Sequence, residues 1–152
     1  MLNQKKHPFY AHAEMKCFLA MRGSQVAGRI AAILDRNQFA PDSLGFFGFL
    51  EMTDSQPVAN ALLQAAWDWL KQRGAKSMRG PVNPSTNYEC GLLVEGFDSS
   101  PMVMMTYNPP YYATLLERAG LKKAKDLLAY ITTAPATAGT KAMRVEIGRA
   151  HV

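Results

Sequence analysis

From Glu14 the chain alternates with a period of two. Met15, Cys17, Leu19 and Met21 interleave with Lys16, Phe18, Ala20 and Arg22, the signature of a β-strand. Gly23–Ser24 marks a turn, and VAGRIAAIL over residues 26–34 reads as the returning strand, so 14–34 is predicted to be a hairpin. After a loop at 35–42, LGFFGFLEM (44–52) reads as a third strand. Its glycines at 45 and 48 would let another backbone or a ligand come close. Asp54 or Ser55 can then cap a helix that carries Pro57 in its first turn, runs to about Arg73 and closes at Gly74. Val58, Leu62, Ala65, Ala66 and Trp69 fall at helical spacing and are predicted to pack on the sheet, with Trp67 and Trp69 as core residues. A short strand at 75–82, a helix at 109–120 between prolines and a glycine, and a strand at 122–132 follow. The order β-β-β-α-β-loop-α-β predicts an α+β (mixed α/β) class, with a central mixed sheet and flanking helices.

Arg79 to Tyr112 obeys neither period. It is rich in proline, asparagine and aromatic residues, too apolar for disorder, and long for a plain connection. It reads as a structured surface that holds a substrate, presented by the rest of the chain. Beyond Thr133 the pattern disappears. Residues 134–152 are expected to form an unstructured tail, leaving 1–133 as a single domain. The last seven residues, EIGRAHV, resemble the translation of a sequencing-adapter read-through, which would make 146–152 foreign to the natural protein.

Composition narrows the function. The chain has 152 residues and a net charge of +5, spread thinly with no basic block among aromatics. No nucleic-acid partner is therefore expected; the mild excess reads first as solvated Lys and Arg on helix and strand faces, and otherwise as a modest attraction for an anionic cosubstrate. Cys17 and Cys90 are isolated, which suits a reducing cytoplasm. No apolar run reaches the ~20 residues of a spanning helix, and no membrane partner is expected. Scattered Cys and His make no metal site, and no P-loop, Rossmann fingerprint or nucleophile elbow is present. Glu51 and Glu89 are the candidate general bases, each otherwise a surface carboxylate. Asn83, Asn87 and Asn108 could orient an acceptor, or, beside proline, form turns. Cys90 reads as a buried, inert thiol.

The same segments resemble the GNAT acyl-CoA N-acyltransferase fold. VAGRIAAI is similar to a family hairpin strand, LGFFGFLEM to the central cofactor strand, and PVANALLQAAWDWLKQRGAKSMRG to the following helix and strand. NPPYYATLLERAGLKKAKDLLAY is similar to the closing helix and strand, and the block from Gly80 to Tyr112 looks like that of a bacterial GNAT-like group with additional chain at the N-terminus. The resemblance implies direct acyl transfer from acetyl-CoA or another acyl-CoA to a small-molecule amine or aminoacyl acceptor. It implies cofactor contacts from the backbone N–H groups of Phe47, Gly48, Phe49 and Leu50, as oxyanion and pantetheine partners, from Ser55 and Val58 at the helix start, and from Asn108. Asn83, Asn87 and Glu89 fall on the acceptor side. Tyr111, Tyr112 and Glu51 are the catalytic candidates. Two features depart from the family. The place of the pyrophosphate loop reads EMTDSQPVAN, without glycine, and the family's catalytic tyrosine falls at Leu116. The family's first strand and helix have no clear counterpart, so the chain reads as a fragment. The alternative is a GNAT-like module that binds or dimerises, as a homodimer, without catalysing.

Overall fold

The computed structural model describes residues 3, 6–39, 42–132 and 144–151. A 3-10 turn (Pro8–Ala11) leads into β1 (Ala13–Arg22) and β2 (Gln25–Asp35), the predicted hairpin. One helical turn, α1 (Arg36–Phe39), precedes β3 (Leu44–Met52), and α2 (Gln56–Lys71) crosses to β4 (Ser77–Arg79). These strands form one sheet in the order β1-β2-β3-β4, antiparallel except for the parallel pair β3–β4 that the α2 crossover makes. Three short strands follow: β5 (Val82–Asn83), β6 (Glu89–Cys90) and β7 (Leu92–Glu95). Then come α3 (Tyr111–Arg118), β8 (Asp126–Thr132) and β9 (Arg144–His151). The class is mixed α+β.

The two longer helices stop for the reasons their sequences suggest, but neither starts on a side-chain cap. Ser55 stands at the N-cap of α2 in extended conformation, and Pro57 lies in the first turn. The Ser55 hydroxyl makes no capping bond; it accepts from Arg22 at 3.3 Å instead. At the other end Gly74 takes φ +88°, and the amides of Gly74 and Ala75 return to the carbonyls of Lys71 and Leu70. Gly120 (φ +94°) and Leu121 close α3 the same way, on Glu117 and Leu116. Both are Schellman closures, which need a left-handed residue that glycine supplies without strain.

One face of the sheet is covered by α2 and α3. Ile30, Phe47, Leu62 and Leu70 are among its buried side chains, and full burial of each stabilises the fold by about 2 kcal/mol. On the other face Phe9, Met15, Ile33, Phe46 and Val82 form a smaller cluster. The β1 alternation does not divide core from solvent along its whole length. Only its beginning is covered, so Leu19 and Met21 stay exposed, while Phe18 and Ala20 lean on the main core. Asp35, 4% exposed, ties the 3-10 turn to the end of β2 through His12 at 2.8 Å and the Asn37 amide at 3.0 Å.

The expectation of an unstructured tail over 134–152 is corrected for Arg144–His151, which pairs antiparallel with both β7 and β8. Those bonds are main-chain bonds, which any non-proline residue can supply. The pairing therefore leaves the resemblance of 146–152 to adapter read-through where it stood. Residues 133–143 lie outside the described residues. The strand expected at 75–82 is three residues long, because the chain leaves the sheet plane after Arg79 and crosses over β3.

That crossing is the tightest constraint in the fold. A Cβ on Gly48 would lie 1.6 Å from the Val82 carbonyl oxygen, and one on Gly80 would lie 2.3 Å from that of Phe47. Gly48→Ala should therefore cost more than about 3 kcal/mol in denaturant unfolding. Gly23→Ala, in a turn with open space around it, should cost about 1 kcal/mol. Equal losses from the two changes would refute the crossing.

Candidate functional site

β3 and β4 pair only from Leu44 to Phe46 against Ser77 to Arg79. Beyond that point the crossing segment takes over as the neighbour of β3, and the Asn83 side-chain oxygen accepts the Phe49 amide at 2.6 Å. Phe49 has φ +50°, and the register with β2 slips here: Ala31 faces Gly48, but Arg29 faces Glu51. Two β3 residues, Phe49 and Leu50, therefore oppose Ile30 alone, which is a β-bulge. It re-aims the end of the strand. Between that end, the 81–92 segment and the 106–108 segment opens a cleft of about 210 Å3.

α3 reaches this strand end with two consecutive tyrosines. The Tyr112 hydroxyl accepts the Met52 amide at 2.8 Å and donates to Glu51 Oε2 at 2.9 Å. The Tyr111 hydroxyl donates to the Met52 carbonyl at 2.9 Å. Both main-chain groups of Met52 are thus held by α3. Tyr112 is buried, and burial first, then the Glu51 carboxylate, pushes its phenol far above the ordinary range against the opposing pull of the Met52 amide. Burial, then the charges of Asp54 and Glu51, also raises Tyr111. Tyr112 consequently stays protonated and serves as a donor rather than a base. Glu51 carries the free carboxylate edge. Arg29 approaches it at 3.9 Å, but both side chains are more than half exposed (57% and 61%), so that pair is worth under about 1 kcal/mol.

Of the residues expected at a site, the cleft is lined by Glu51, Tyr112, Phe49, Leu50, Asn83, Glu89 and Asn108. Asn83 also donates to Glu89 at 3.3 Å. Tyr111 stands behind the cleft wall, on Met52. Phe47 is wholly buried in the core and Val58 packs there too, so neither side chain is open to a cofactor; the role expected of Phe47 belongs to its backbone N–H group, on which side-chain burial does not bear. Gly48 is closed off by Val82, so what its missing side chain admits is a second backbone. Ser55 is engaged with Arg22 at the start of α2. Asn87 is exposed in a turn, its amide on the Ser85 hydroxyl at 3.3 Å. Asn108 has no amide group left for a ligand. It takes the Leu93 amide at 2.7 Å and gives hydrogen bonds to the carbonyls of Leu93 and Pro109, at 3.2 and 3.0 Å. It is a side-chain splice between β7 and the start of α3.

Arg29 and Tyr107 also line the cleft without having been anticipated. Arg29 left a signal, as the one charged residue between Val26 and Leu34. Cys90 lies outside the lining, and burial raises its thiol, the opposite of nucleophile activation. Among the described residues no group of His, Cys, Asp and Glu is placed to hold a metal ion. No described helix is long and apolar enough to cross a membrane.

No family model and no solved structure matches the chain. A protein named bacterial ceramide synthase, from Caulobacter vibrioides (strain NA1000 / CB15N), is 45% identical over 134 residues, covering 85% of this chain and 34% of that protein. Protein YghO of Escherichia coli (strain K12) is 39% identical over 128 residues, covering 82% of this chain and 33% of that protein. The chain spans about a third of the length of these curated relatives.

Two measurements check the site. Asn108→Ala orphans the buried Leu93 amide and should cost about 2–3 kcal/mol in denaturant unfolding; wild-type stability would mean the splice carries no weight. Tyr112 should ionise late in an ultraviolet alkaline titration, and Tyr112→Phe should remove that late component. The sign follows from linkage: a phenol raised in the folded state stabilises fully below its ordinary value of 10.0, and the contribution disappears as pH climbs toward the folded value. Wild type should therefore lose stability above about pH 10 more steeply than Tyr112→Phe.

Proposed function

We propose that this chain forms the transfer site of an N-acyltransferase, moving an acyl group from acyl-coenzyme A directly to an amine. The observation that carries the reading is the Glu51 carboxylate, held by the protonated Tyr112 hydroxyl on the wall of a cleft beside the bulged end of β3. The GNAT resemblance and the name of the Caulobacter relative point the same way, since a ceramide is the amide of a long-chain amino alcohol. On this reading the acceptor is a long-chain amine rather than an unspecified small one.

The chemistry asks little beyond positioning and one base. The neutral amine nitrogen attacks the thioester carbonyl; the C–N bond forms and the C–S bond breaks. Glu51 takes the proton that nitrogen sheds, and the departing thiolate takes up a proton. Glu51 and Glu89 favour the approach of an ammonium, which gives one proton to solvent before its nitrogen attacks, and Arg29 offers a cation to an anionic group. Tyr112 fixes the Glu51 carboxylate and keeps its own proton. Cys90, outside the lining and with a raised thiol, takes no part.

A non-catalytic binding module remains the second reading. It is favoured by one observation: the Phe49 amide, a natural partner for the acyl carbonyl, already bonds Asn83.

The test grafts this chain into the Caulobacter relative in place of its matching segment. The chimera should form amide from a long-chain amine and acyl-coenzyme A, read by mass spectrometry. Glu51→Gln should lower turnover about 100-fold or more while leaving acyl-coenzyme A affinity, by calorimetric titration, unchanged. No amide and no heat from the chimera would end the enzyme reading. Heat without amide would favour the binding module.

A further inference from the structure

We infer that the tip of the 96–110 loop seats on the surface of an anionic lipid bilayer, at the mouth of the cleft. Met102, Val103 and Met104 are exposed by 57%, 93% and 52%, and Tyr107 by 57%. Consecutive large apolar side chains held this far into solvent mark an interaction surface. The backbone aims them there: the Met105 amide closes a turn on the Met102 carbonyl at 3.0 Å, and Met104 takes φ +67°. Turns favour glycine or asparagine in that conformation, so an apolar residue is kept at a conformational cost.

Three observations select a bilayer as the occupant. Asp98 is the one charged residue from Gly96 to Pro110, as a segment entering a headgroup layer requires. The chain carries a net charge of +5. Lys122 and Lys123, with Glu117, border a shallow apolar groove that shares Pro81 and Leu92 with the cleft, and Lys123 pairs with Asp126 at 3.2 Å, which leaves Lys122 as the cation of that groove open to a headgroup. A protein of net positive charge is drawn to anionic headgroups, and an apolar tip can then enter them. Tyr107, amphipathic and half exposed, belongs to both tip and cleft. A molecule leaving the bilayer at this tip would meet the cleft next. Composition alone predicted no membrane partner; the exposed tip becomes visible only once the loop is folded. The inference suits a long-chain acceptor but does not rest on the proposed reaction, and its test needs no substrate.

The experiment is cosedimentation of the chain with vesicles. Binding to vesicles of phosphatidylglycerol and phosphatidylcholine should exceed binding to phosphatidylcholine alone by about fivefold or more, and should fall with salt. The triple change Met102→Ser, Val103→Ser, Met104→Ser should lower it about tenfold, with an unchanged circular dichroism spectrum. A separate Val103→Trp variant should show a blue shift of the added emission when anionic vesicles are present. No cosedimentation, wild-type binding by the triple variant, or no emission shift overturns the inference. So does a wild-type oligomer that the triple change makes monomeric without any vesicle binding, which would assign the tip to a protein contact.

Discussion

The approach of two backbones at Gly48 and Gly80 sets everything downstream of β3. Two chains can run at that separation only where neither carries a side chain. Because they do, the 80–83 segment lies across β3 instead of extending β4, and Asn83 comes within reach of the Phe49 amide. The ladder that β4 would have continued is replaced by one side-chain bond. The bulge at Phe49 and the end of parallel pairing at Arg79 lie on either side of the same crossing. The cleft is the space this exchange leaves beside Leu50 and Glu51.

α3 then stabilises the strand end that the bulge has freed. Met52 gives its amide to Tyr112 and its carbonyl to Tyr111, so the end of β3 is held by a helix some 60 residues away in sequence. Asn108 does the same for β7 one turn before α3 begins. Strand ends facing a cavity leave polar backbone groups without ladder partners, and burying such groups unpaired costs about 1–3 kcal/mol each. Tyrosine and asparagine pay this off with side-chain atoms. Tyr112 also fixes the position of Glu51, since the hydroxyl that accepts from Met52 donates to the carboxylate.

The scaffold was legible and the site was half legible, for a common reason. The hairpin, β3 and α2 are long enough to show a period, and their punctuation is local: the predicted bounds of β3, 44–52, are the observed ones. Gly74 and Gly120 end their helices through bonds a few residues long. β5 and β6 have two residues each, too few to show any period, and they exist only because the crossing brings them together. Glu51 and Tyr112 could be picked out by residue type and place, but not their bond, which spans 61 residues. Asn108 beside proline reads as a turn former, whereas its partner Leu93 lies 15 residues back. Leu19 and Met21 alternate as a buried face would, yet nothing local to them says how far along β1 the smaller core extends.

The bond between Asn83 and the Phe49 amide also sets what a ligand with a carbonyl group would have to exchange. The Asn83 side-chain oxygen already satisfies the strand's N–H group at Phe49, at 2.6 Å. A carbonyl that takes this donor must displace Asn83. Exchanging one neutral acceptor for another is close to neutral in free energy, provided the displaced group finds a new partner. Asn83 already donates to Glu89, at 3.3 Å, on the cleft wall. The Phe49 amide and the Glu89 carboxylate are in this way joined through one side chain, held over β3 by the close approach at Gly48 and Gly80.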